Sequence, residues 1–83
     1  MTKGNTGNNM EQDIKDKIEW TVIFAAEFGH RHNLTLKQAF NYLMRYRGID
    51  FIERHYDYLH TQPFAPTVDD MTAYCHKMGG GLT

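Results

Sequence analysis

Between Ile18 and Phe28 apolar side chains follow one another so densely that almost no helical face stays polar. Ile14, Ile18, Thr21, Val22 and Ala25 recur at spacings of three and four, which sets them on one stripe of an α-helix. Trp20, Ile23, Phe24 and Phe28 widen the stripe to nearly the whole circumference. A helix apolar almost all round is packed on several sides. The stretch therefore predicts a central helix, from about Glu11 to His32, that is either enclosed by the rest of the fold or carries an interface. Glu19 and Glu27 interrupt it, and it is too short to span a bilayer.

Capping signals divide what remains. Asn9 can cap the first helix, and Glu11 and Asp13 suit the positive end of its dipole. His30, Arg31 and His32 suit the negative end, with Asn33 as a left-handed C-cap. Thr35 and Gln38 form a Thr-x-x-Gln capping box, with Leu34 and Ala39 placed as a weak staple. The helix it opens buries Leu36, Ala39, Phe40, Leu43 and Met44, and Gly48 is expected to stop it in a left-handed conformation. Asp50 and Glu53 repeat the box ahead of a third helix that buries Phe51, Ile52, Tyr56 and Leu59. Pro63 and Pro66 bracket a rigid turn with Phe64 folded onto the core, and Thr67 with Asp70 opens a fourth helix. Val68, Met71, Thr72, Cys75 and Met78 line its apolar side, and Gly79 to Gly81 end it.

The expected fold is all-α: a compact bundle of four helices over about 11–32, 36–47, 51–60 and 68–78. Residues 1–9, rich in Gly, Asn and Thr, are expected to form a disordered, flexible tail. Residues 10–79 form a single domain, and 80–83 a flexible C-terminus. A chain of 83 residues buries only about 60% of its unfolded surface, so modest stability is expected.

Composition narrows the function. A formal net charge of −1 supplies no field toward nucleic acid or an anionic membrane. The single cysteine, Cys75, excludes an internal disulfide and fits a reducing compartment. The first nine residues lack the apolar region of a secretory signal, so a cytoplasmic protein is expected. Helical metal pairs need spacings of three or four; His30 and His32 are two apart, His55 and His60 five apart, and Cys75 and His76 adjacent. No metal or other cofactor is expected. Cys75 falls on an apolar stripe, where free cysteine packs as a small hydrophobe, so it is a poor nucleophile candidate. Asp50, Asp69 and Asp70 are read as helix-opening carboxylates and not as an acid–base pair. An enzyme is not expected.

Two features could recognise a partner. Lys37, Gln38, Asn41 and Arg45 lie on one side of the second helix, which follows the first across a short turn in the manner of a helix-turn-helix. A DNA-binding regulator is the alternative reading, and the missing positive field argues against it. The second feature is Tyr56-Asp57-Tyr58-Leu59-His60-Thr61-Gln62, which is either a helix stop satisfying orphan carbonyls or a recognition patch.

This last segment carries a family likeness. Ile49-Asp50-Phe51-Ile52, Tyr56 and Leu59-His60-Thr61-Gln62 resemble the core of a small prokaryotic family catalogued as domain of unknown function 3791. Leu34 to Phe40 matches the start of that family's second helix, and Val68-Asp69-Asp70 the start of its last. Pro63-Phe64-Ala65-Pro66 departs from its polar, glycine-containing turn. The resemblance implies no activity and no catalytic residues. It implies a partner or antitoxin-like role beside a neighbouring ADP-ribosyltransferase-like protein. The expected function is a helical protein–protein interaction module that binds another protein or itself as a homodimer. Trp20, Phe24, Phe28, Tyr58, His60 and Gln62 are its candidate contacts.

Overall fold

The computed structural model describes residues 5–81, with side chains over 11–81. Its elements are α1 (Asn5–His32), α2 (Leu36–Arg45), α3 (Gly48–Leu59) and α4 (Phe64–Lys77). The expected four-helix, all-α architecture is present, with no strand among the described residues.

The α1–α2 corner follows from local chemistry. Asn33 takes the left-handed conformation at φ 60°. Leu34 N–H then donates to Gly29 O at 2.8 Å and Asn33 N–H to His30 O at 3.5 Å, the paired bonds of a Schellman motif. Thr35 closes the capping box in both directions: Gln38 N–H donates to its hydroxyl, and its own N–H donates to the Gln38 side chain at 2.8 Å. Gly29 lets the corner close, since a Cβ there would stand 2.8 Å from Leu34 O and 3.3 Å from the Ala39 methyl. The Phe28–Tyr42 stack at 5.6 Å continues the approach, so α2 runs back along α1.

The α2–α3 junction corrects an expectation. Gly48 does not stop α2; Arg47 takes the left-handed conformation, at φ 72°, and Gly48 is the first residue of α3. Gly48 is required for a different reason: a Cβ would lie 2.7 Å from Leu43 Cδ2 and 3.2 Å from Cys75 Sγ. Asp50 consequently lies inside the first turn of α3, where it pairs with Arg54 at 3.2 Å instead of capping.

Pro63 to Pro66 is likewise not a free-standing turn. Pro63 is the N-cap of α4, and Pro66 falls in the first turn, where no intrahelical N–H bond is forfeited. Thr67 does not form a box with Asp70; its buried hydroxyl donates to Pro63 O at 2.7 Å. Phe64 folds onto the core as expected. The pairs Phe24–Phe64, Arg31–Asp69 and His32–Thr72 advance together, so α4 runs in the same sense as α1.

Both ends of the expected domain move. Residues Asn5 to Asn9, expected in the tail, continue α1, since extending a helix already anchored by its core adds one backbone bond per residue fixed. The rest of that tail, 1–4, lies outside the described residues. At the other end a second Schellman motif forms, with Gly79 at φ 104°, Gly80 N–H donating to Cys75 O and Gly79 N–H to His76 O. Gly80 is buried, against the expectation of a flexible end, because its carbonyl accepts from the Tyr42 hydroxyl. A Cβ on it would meet the Tyr46 ring at 2.6 Å.

The core is Phe24, Ala25 and Phe28 from α1, Ala39 and Leu43 from α2, Ile52 and Leu59 from α3, and Val68, Met71 and Cys75 from α4. Each large member contributes about 1.5–3 kcal/mol by leaving water. Trp20 packs at its edge, flat on Phe24 and against Tyr56 and Phe64.

Candidate functional site

Twenty-eight residues make α1 about 42 Å long at 1.5 Å per residue, against 10, 12 and 14 residues for the helices that cover it. The whole molecule is accordingly 53 Å long and only 22 × 21 Å across. The bundle encloses the C-terminal half of α1; Asp13 to Lys17 flank α3 near Glu53, Tyr56 and His60, and the residues before them run past it. Ile14, Ile18 and Val22, the stripe most regular in the sequence, lie at the edge of the bundle, 56%, 58% and 37% exposed. Of the two expectations for this helix, enclosure on every side is not met along this stripe. The arc that is covered belongs to Phe24, Ala25 and Phe28.

Thr21 and Phe40 continue the stripe into a shallow groove floored by Lys17, Ile18, Val22 and Glu53. Lys17 Nζ lies 3.4 Å from Glu53 and 5.5 Å from the centroid of the Tyr56 ring, which ties this flank of α1 to α3. The opposite flank carries Lys15 and Glu19, both exposed and neither in an ion pair among the described residues.

The residues named from the sequence divide sharply. Phe24 and Phe28 are fully buried and Trp20 is half-buried in an aromatic cluster, so the first two offer no contact surface. The reason is that Tyr42 of α2 and Phe64 of α4 close on Phe28 and Phe24, with Tyr56 of α3 reaching only Trp20, and the aliphatic stripe stays open. Tyr58 is exposed, but the run after it acts locally. His60 Nδ1–H is placed to donate to Tyr56 O at 2.9 Å, Thr61 Oγ1 donates to Tyr58 O at 2.7 Å, and Gln62 N–H donates to Leu59 O. Leu59 to Gln62 is therefore a helix stop in which the backbone N–H groups of residues 60–62, joined by the His60 and Thr61 side chains, bond the last carbonyls of α3. His60 also stacks on Tyr56 at 4.7 Å, which links it through Tyr56 to Trp20.

The remaining side chains with chemical potential are held structurally. Cys75 is fully buried, and burial pushes its thiol up to about 11, far from a thiolate at neutral pH. His32 Nε2 lies 2.8 Å from Thr72 Oγ1. The Thr72 hydroxyl donates to Val68 O, so it accepts from His32 and fixes the Nε2–H tautomer. Burial and the neighbouring Arg31 hold that imidazole below its ordinary pKa, partly opposed by Asp69. Arg31 pairs with Asp69 beside it, and His76 completes the lining of a cleft of about 410 Å³ between α1 and α4. Among the described residues no three His, Cys, Asp or Glu side chains converge as a metal set. Lys37, Gln38, Asn41 and Arg45 are all exposed on α2. No helix among the described residues is long and apolar enough to cross a membrane.

A family model described as "Protein of unknown function (DUF3791)" matches residues 19–77, well over half of the chain. No curated protein and no solved structure matches it.

Proposed function

Since the chain belongs to the DUF3791 family of proteins of unknown function, whose description names no activity, we propose from the geometry that it is a protein–protein interaction module. Its contact surface is the α1 stripe of Ile14, Ile18 and Val22, continued by Phe40. The observation that carries this reading is that two isoleucines more than half exposed stand four residues apart on a helix that outruns its own bundle. Scattered exposed aliphatics are ordinary, but an aligned set along a groove marks a binding face. Two occupants are candidates: an ADP-ribosyltransferase-like neighbour, which is the partner the sequence resemblance implies, and a second copy of the chain.

The α2 face supports nucleic acid less well. Lys37 and Arg45 are its only cations, on a chain of net charge −1, and two phosphate contacts give little of the affinity that duplex binding rests on.

Ile14→Ser with Ile18→Ser tests the reading. Both side chains are exposed, so helicity and Tm should stay near wild type while capture of the partner, tagged wild-type chain included, is lost. Unchanged capture by a folded double variant would overturn it.

A further inference from the structure

We infer that the occupant of the α1 stripe is a second copy of this chain, bound antiparallel about a two-fold axis close to Ile18. The inference rests on the proposed function and names its partner. Ile14, Ile18 and Val22 stand at successive intervals of four, so they form one ridge of the helix surface. A two-fold at Ile18 then sets Ile18 on Ile18 of the partner subunit and each Ile14 on the other copy's Val22.

The flanks decide the direction. Lys17 and Trp20 hold one flank of α1 against α3 through Glu53 and Tyr56, so that flank is occupied. A parallel pair would set the open flank of one copy against this occupied flank of the other. An antiparallel pair sets open flank against open flank. Lys15 and Glu19 lie on that open flank, either side of the axis and about 3 Å from level along it (at 1.5 Å per residue). Each Lys15 consequently faces the other copy's Glu19, and the pairing occurs twice by symmetry. Neither side chain has an ion-pair partner within its own chain among the described residues.

Sedimentation equilibrium of the full chain over roughly 1–500 µM tests this, since an interface of three aliphatics a side belongs in the weaker range. The expected mass rises to twice that of the chain. Ile18→Asp should abolish the rise with helicity retained. Lys15→Glu alone and Glu19→Lys alone should each weaken association about tenfold by setting like charges across the axis, and the double exchange should restore it to within about threefold. A chain monomeric throughout, a dimer indifferent to Ile18→Asp, or single exchanges that the double does not rescue would each overturn the inference. In the first case, loss of partner capture by the serine variants would leave the interaction module itself standing.

Discussion

The indole of Trp20 lies flat on the ring of Phe24, their centroids 5.1 Å apart and their planes 7° from parallel. The residues are one helical turn apart on α1, and the stack joins their arc to α3 through Tyr56 and to α4 through Phe64. It commits the aromatic side of α1 to the core and leaves the aliphatic side exposed.

Trp20→Ala should therefore cost about 3 kcal/mol, the lower part of the range for removing a large aromatic, because one edge of the indole is already wet. Trp20→Phe keeps the stack and should cost about half as much or less. Urea unfolding followed by circular dichroism measures both. A loss below about 0.5 kcal/mol for the alanine variant would place Trp20 outside the core.

Arg47 and Gly48 make opposite demands, so substitutions at the two should have opposite signs. Arg47→Gly relieves a left-handed side-chain-bearing residue and should stabilise by up to about 1 kcal/mol. Gly48→Ala drives a methyl into Leu43 and Cys75, both fully buried, and should destabilise by about 1–3 kcal/mol. For a domain of this size each kcal/mol moves Tm by about 4–8 °C, which calorimetry resolves.

These cases also mark what the sequence makes legible. The Thr35–Gln38 box and the Asn33 turn are readable because their bonds close within a few residues. Gly48 reads as a stop because glycine commonly serves there, whereas its real constraint is close packing against Leu43 of α2 and Cys75 of α4. Pro63 and Pro66 are as compatible with a first helical turn as with a free turn, and only Phe64 docking on Trp20 and Phe24 selects the helix. The proposed contact face is illegible for the same reason. Periodicity finds both arcs of α1, but which is covered depends on where α2 and α4 pack and on how short α2 to α4 are. Charge does not separate the two arcs either: Glu11, Lys15 and Glu19 border the aliphatic ridge, and Lys17, Glu27 and Arg31 border the arc of Phe24 and Phe28.

Cys75 should resist modification. Its thiol is fully buried and pushed up to about 11, so the native protein at pH 7.5 should react with a disulfide reagent only through unfolding. Labelling at a rate that tracks denaturant-induced unfolding is expected, with one thiol released per chain. Immediate labelling of the folded protein would contradict the packing of α4.

Acid should weaken the α1–α4 contact through His32. Burial first, and Arg31 second, depress its pKa in the folded protein, while Asp69 opposes them. The unfolded chain then binds the proton more readily, so the stabilising contribution is complete above the ordinary histidine value and is lost as pH falls through the depressed folded value. His32→Gln can still donate to Thr72 and has no charge to gain. The stability of wild type relative to this variant should consequently be greater at pH 7.5 than at pH 5, as read from paired urea titrations. Asp69→Asn removes the opposing carboxylate and should deepen the acid loss of the wild-type histidine. A wild-type-minus-variant difference that stays flat or rises toward pH 5 would show that the folded chain accepts the proton at His32 as readily as the unfolded one.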